Sequence, residues 1–218
     1  MHCFRYRMDH DYGFAPNPFW GNLTLATCKA QIRKNRNLSI GDWIVGLGSK
    51  KLGNEGCIIY AGCVNEIIHF DQYWEDSRFQ VKKANGKGSL LQMYGDNVYH
   101  TVDGSLVQEH CAHSIDASTP NERHLKSDAS GQNVLICRRF YYFGDRAPHI
   151  PSKLSYIADT GNPRAIRYTD LDNAKIDAFI SWLEANFSEG VHGDPCNWKE
   201  FNIPKMDIYE GEESPYRP

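Results

Sequence analysis

Three runs of β-branched and aromatic residues decide which folds are open to this chain. Residues 43–47, 57–67 and 133–143 are rich in apolar side chains, with Trp43, Ile44, Ile58, Ile59, Val134 and Leu135 among them. Such runs, set off by turn residues, read as buried strands. A first strand is expected over 4–8, and short ones around 93–94 and 98–100. Helical spacing is scarcer. Asn22 or Thr24 can cap a helix through Leu25, Ala26, Cys28, Ala30 and Ile32 to about residue 35. Residues 69–79 read as a short helix or irregular segment. The clearest stripe is Leu171, Ile176, Phe179, Ile180, Leu183 and Phe187, which predicts a helix over 171–189 behind a cap at Thr169 or Asp170, stopped by Gly190. Strands outnumber helices and follow one another directly. The expectation is an α+β fold around a curved or barrel-like mixed sheet.

The pattern predicts one domain over 1–218. Its core motifs fall in 1–80, an insertion with long loops in 81–132, a strand plus C-terminal helix in 133–203, and an acidic tail in 204–218. Residues 49–56 read as a hairpin loop. Residues 114–132 are polar and read as a long loop, a kind usually functional or mobile. A net charge of -3 over 218 residues argues against coating nucleic acid or membrane by bulk charge, and leaves room for a local basic face. No apolar run approaches the roughly 20 residues of a membrane span. Residues 1–7 carry charges where a secretion leader would be apolar. The seven cysteines include no CxxC pair, so free thiols in a reducing cytoplasm are expected.

Two stretches, residues 23–33 followed by Gly41-Asp42-Trp43-Ile44-Val45-Gly46-Leu47-Gly48, resemble the helix and "GD" strand of PUA-like domains, the group that includes EVE and YTH modules. Residues 56–66 resemble their next strand. The longer string 13–29, together with 134–144, resembles the nucleotide modification associated domain family, second type. That resemblance covers most of the chain, and the PUA-like part roughly the first half. It implies a PUA-like mixed β-barrel with flanking helices and a C-terminal helical elaboration. It also implies a setting of base modification or defence, in bacteria or phages. YTH modules hold a modified base between tryptophans, and the matching places here hold Trp20 and Trp74, with Phe19 and Tyr73 beside them. Asn17 and Asn22 stand where the base edge would be read. ASCH domains, also PUA-like, resemble hydrolases that use a Lys, a Thr and a Glu, for which Lys29, Thr24 and Glu66 are the counterparts.

The residues can be weighed without the family. Two aromatic walls and an amide satisfy the faces and edge of a flipped base, each stack contributing roughly 1–3 kcal/mol. Pro16 and Pro18 fix the backbone on both sides of Asn17. The commoner role of such tryptophans is half-buried packing. Between residues 28 and 51, Lys29, Arg33, Lys34, Arg36, Lys50 and Lys51 face only Asp42. Lys29, Arg33, Lys50 and Lys51 are the candidate phosphate contacts, against the plainer reading of a solvated helix face. Cys28, next to Lys29, reads either as a nucleophile beside a cation or as a small core residue. His110, Cys111 and His113, with His192 and Cys196, match no standard zinc spacing, so no metal is expected, and no cofactor. Thr24 and Lys29, five apart, share a helical face poorly.

These readings rank non-catalytic recognition of a modified or flipped base first, with DNA ahead of RNA. A hydrolase or transferase acting on a modified base or nucleotide, and an adaptor of a DNA-modifying enzyme, are the alternatives. Expected partners are a modified nucleotide or nucleic acid and a DNA-modifying enzyme, with no membrane.

Overall fold

A computed structural model describes residues 1–116, 119–162 and 165–201. The acidic tail expected over 204–218 lies outside the described residues. The chain runs through β1 (Cys3–Arg7), β2 (Leu23–Leu25), α1 (Ala30–Arg33), β3 (Trp43–Leu47), β4 (Ile58–Cys63), β5 (Glu66–His69), α2 (Phe70–Glu75), α3 (Leu90–Met93), β6 (Tyr99–Val102), β7 (Ser105–Gln108), α4 (Glu122–Ala129), β8 (Asn133–Cys137), β9 (Phe140–Tyr142), α5 (Asn173–Asn186) and β10 (Gly190–Val191). The fold is α+β, as the strand count predicts.

The strands form three open sheets, ordered β1-β3-β4-β9-β10, β2-β8-β5 and β6-β7. None closes on itself, so the expected PUA-like barrel is not what these residues build. Two apolar runs do not continue as single strands. The run over 57–67 breaks at Val64 and Asn65, and that over 133–143 breaks at Arg138 and Arg139, so each feeds both larger sheets. Asn65 ties the two breaks together, its Oδ1 accepting from the backbone N–H of Arg138 at 2.6 Å and of Arg139 at 3.3 Å. Beyond the corner Arg138 pairs with Glu66, and Arg139 with Glu184 and Glu189.

The helix expected from residue 22 to 35 is mostly not helix. Leu23–Leu25 pairs antiparallel with β8, and only the single turn α1 is helical. Partnering with a buried central strand wins over a local helical pattern whose Cys28 and Lys29 both have positive φ, 53° and 37°. The 93–94 segment closes α3 instead of forming a strand. The long polar loop over 114–132 contains α4, capped by Asn121. The late helix is present but shorter than the expected 171–189: it starts two residues on, where Asp172 caps it, ends at Asn186 with Phe187 already extended, and buries Ile176, Phe179 and Leu183 against the five-stranded sheet. No helix among the described residues is long and apolar enough to cross a membrane.

Gly46, in β3, pairs with Tyr60 of β4. A Cβ there would overlap the Tyr60 ring and the Met8 sulfur. The Tyr60 hydroxyl is held by that of Tyr6 at 2.7 Å, so the ring has little freedom to retreat. Gly46→Ala should therefore lower stability by about 1–3 kcal/mol, seen as a shift of the thermal midpoint.

Candidate functional site

The segment between β2 and α1 carries the least relaxed backbone near any reactive side chain. Cys28 and Lys29 are consecutive, neither is glycine, and both sit in the left-handed region. Each such residue costs about 1–3 kcal/mol and persists only where its surroundings hold it. What holds it here is Arg33, which is buried. Its Nε donates to the Cys28 carbonyl at 2.9 Å, and its other nitrogens donate to the carbonyls of Gly131, Asn133 and Asp128. The turn is thereby fastened to the loop after α4.

Two further elements bring polar side chains to the Cys28 sulfur. A turn after β7 is closed by Ser114, whose Oγ accepts from the Cys111 N–H at 3.0 Å, and it buries His113. The end of α4 supplies Asp128, also buried. Cys28 Sγ is 3.4 Å from His113 Nε2. His113 Nδ1 is 3.2 Å from Asp128 Oδ2. The same carboxylate oxygen accepts from the Tyr99 hydroxyl at 2.8 Å, and Arg33 lies 3.6 Å from the other. A thiol, an imidazole and a carboxylate thus stand in line, drawn from positions 28, 113 and 128.

The surroundings set the charges. Burial alone would depress His113, but Cys28 and Asp128 outweigh it and raise its pKa to about 9. Burial would likewise raise Asp128, yet His113, Arg33 and Tyr99 hold it below the ordinary carboxylate range. His124, with its ring 4.1 Å from that of His113, goes the other way. Burial first, and the neighbouring His113 charge second, lower it to about 4. Two adjacent imidazoles pushed apart in this way mark one as the proton holder and the other as neutral.

Cys28 and Lys29 open on a hollow of about 160 Å³, walled also by Tyr6 and Ala15. A second hollow of about 360 Å³ shares Tyr6, Arg7, Asp9 and Lys29 with it. The Lys29 ammonium lies 4.4 Å from the centre of the Tyr6 ring, and burial lowers its pKa. Of the seven cysteines, only Cys28 and Cys63 are partly exposed.

The model of the family described as nucleotide modification associated domain 2 matches residues 1–202, a span that includes Cys28, His113 and Asp128. The chain belongs to the nucleotide modification associated domain 2 family. No curated protein and no solved structure matches it. Membership ties the chain to nucleotide modification systems.

In this member of the nucleotide modification associated domain 2 family, the residues first proposed for base reading are spread over several environments. Asn17 is buried. Its amide nitrogen donates to the carbonyls of Gly13 and Tyr94, and its oxygen accepts from Lys82 at 2.6 Å. The neighbouring prolines therefore aim it inward. Asn22 offers its carbonyl to the same Lys82. Phe19 is buried against Trp198 at 5.4 Å. Tyr73 is buried and donates to Asp96 at 2.7 Å. Trp74 has His100 stacked at 4.0 Å and the Lys83 ammonium at 3.5 Å from its ring centre. Two groups cannot share that space above one face, so they cover opposite faces. Trp20 stands 36% exposed and makes no ring contact with Trp74.

The other candidates divide similarly. Arg33 is buried, not on a solvated helix face. Lys50 and Lys51 lie on the β3–β4 loop, where Lys51 Nζ is 2.6 Å from His10, itself a wall of the smaller hollow. Thr24 and Glu66 pair with Ile136 from opposite sides of β8. That sets their backbones two strand spacings apart, about 10 Å; the Thr24 hydroxyl donates to Asp96 at 2.7 Å and Glu66 pairs with Arg78 and Arg138. His192 stacks on Phe143, and Cys196 lies beside Asn54, away from His113. Among the described residues no group of three or more His, Cys, Asp or Glu is arranged to hold a metal ion.

Proposed function

We propose that this protein is a thiol-dependent acyl-transfer enzyme of a nucleotide modification system. The observation that carries the reading is the line from Cys28 Sγ through His113 to Asp128, on a strained turn that opens on a hollow. A nucleophile, a base and a group that orients the base are what acyl transfer needs, on any fold. Cys28 attacks the carbonyl carbon of an amide or ester carried by a modified nucleotide. His113 holds the proton of the thiol–imidazole pair and gives it to the leaving nitrogen or oxygen, which departs as amine or alcohol. The resulting thioester at Cys28 is then opened by water, with His113 taking the water proton, and the acid leaves. Asp128 fixes the imidazole so that Nε2 faces the sulfur.

Base reading keeps one supporting observation, the exposed ring of Trp20 with the Lys82 ammonium 5.8 Å from its centre. It would place a base on Trp20 alone.

The test uses p-nitrophenyl acetate, an acyl donor small enough for the smaller hollow. Wild type should carry an acetyl group on Cys28, located by peptide mass spectrometry, and should release acetate repeatedly. Cys28→Ser should lose the label and turnover, and Asp128→Asn should reduce turnover. Acetylation spread equally over Cys28 and Cys63, or turnover that survives Cys28→Ser, would refute the assignment.

A further inference from the structure

The larger hollow has a different chemistry from the one that holds the thiol. Its charged walls are Arg7, Lys29 and Lys34 against Asp9 alone. Gln31, Ser127 and Ser130 add neutral donors, and Lys34 Nζ reaches the Ser130 hydroxyl at 3.3 Å. The whole chain has net charge -3. A local excess of cations in a recess of such a chain is a focused field for an anion. At about 360 Å³ the recess falls within the range that takes small-molecule ligands, roughly 300–1,000 Å³. At about 160 Å³ the neighbouring hollow falls below that range and has room for a small appended group. Arg7 and Lys29 belong to both walls, so a ligand lying across them reaches both hollows.

We propose that the substrate is bipartite: the larger hollow binds a nucleotide through its phosphate, on Arg7, Lys29 and Lys34, and the modified end of that nucleotide enters the smaller hollow against Cys28. The orientation toward Cys28 rests on the thiol reading above. The phosphate site rests on the charge and size of the recess. Arg7 closes β1 and Lys34 follows α1, so both cations stand on the rims of regular elements. Lys29 is set between the hollows by the same strained turn that presents the sulfur. Phosphate oxygens accept from each of these donors and are indifferent to the base beyond.

The experiment is protection of Cys28 from iodoacetamide in the full chain, with Cys63 as the reference thiol. Probes are deoxycytidine 5′-monophosphate, deoxycytidine, and a short single-stranded oligonucleotide. The monophosphate at ten times its Kd should slow Cys28 alkylation about tenfold, and the nucleoside at the same concentration should not. In Arg7→Ser combined with Lys34→Ser, the ratio of rates without and with monophosphate should fall toward one. Protection by the oligonucleotide as well would support a phosphodiester in a strand as the bound group. Protection by the monophosphate alone would support a free nucleotide. Equal protection by nucleoside and monophosphate, or protection that survives the double substitution, would overturn the phosphate site. Should Cys28 prove inert to alkylation, the thiol reading fails by itself. Equilibrium dialysis with labelled monophosphate, on wild type and the double variant, then decides the phosphate site: retention lost in the variant supports it, and no retention overturns it.

Discussion

Asparagine in place of His113 is expected to slow the alkylation of Cys28 about tenfold at pH 7. An isolated thiol is only a few per cent ionised at that pH. A base that takes the proton raises the reactive fraction about thirtyfold at most. Part of that gain is returned, because a thiolate that forms more readily is a weaker nucleophile. In His113→Asn the rate should climb steeply with pH through neutrality, as for a thiol with no base to help it. Wild type should show a flatter profile through neutrality, since His113 retains its proton up to about 9. Asparagine is smaller than histidine but keeps one polar edge of the imidazole, so the buried turn around it need not collapse. Cys63 in the same sample controls for pH effects on the reagent. It is partly buried, which raises its pKa, and it lies in β4 with no link to His113. Superimposable Cys28 profiles for wild type and His113→Asn would remove His113 from any role toward the sulfur.

How much of this was legible in the sequence differs between fold and site. Trp43–Leu47 is a strand with the boundaries its apolar residues suggest, and the late helix shows its stripe. Errors arise where local pattern and long-range pairing disagree. Leu25, Ala26 and Ile32 can be spaced as a helix face, yet Leu25 pairs with Leu135, a partner no local window contains. The run over 133–143 has no glycine or proline at its break; only the paired arginines and their distant acceptor Asn65 end the strand. Helix α4 hides in a polar stretch, where Asn121 was the one usable signal. The site divides the same way. Cys28 was visible as a candidate nucleophile because chemistry attaches to the residue type. His113 stood in a His-Cys-Ala-His cluster weighed as metal ligands and set aside on spacing, and its actual partners lie 85 residues before it and 15 after. Asp128 carried no local signal at all. Of the aromatic and amide candidates, Asn17, Phe19 and Tyr73 are buried while Trp20 stays exposed, a division no local window carries because burial is a tertiary property. Asn17 between two prolines looks presented, and only the fold shows Lys82 and two carbonyls waiting for it.

Replacing Arg33 by methionine should have the largest effect on stability, a loss of about 3–5 kcal/mol. For a chain of this size that corresponds to a fall in Tm of about 10 °C. Arg33 is 1% exposed, and four carbonyls and the Asp128 carboxylate depend on it. Methionine matches its length and keeps contact with the Phe70 ring, over which the guanidinium now lies at 5.3 Å. It leaves the acceptors unpaired in a place water does not reach. Arg33→Lys should recover less than half of the loss, because an ammonium cannot span carbonyls on both sides of the α1–α4 junction. The same change should loosen the turn that presents the sulfur, since the Cys28 carbonyl loses its donor. Arg33→Met should therefore also blur the difference in alkylation between Cys28 and Cys63, at temperatures where the chain is still folded. Adding Asp128→Asn to Arg33→Met should cost less than the sum of the two single changes, because the Asp128–Arg33 attraction lost in each single change can be lost only once. A Tm within 2 °C of wild type for Arg33→Met would mean that these bonds do not bear on stability. Strict additivity in the double variant would mean that Arg33 and Asp128 are not coupled as the 3.6 Å approach implies.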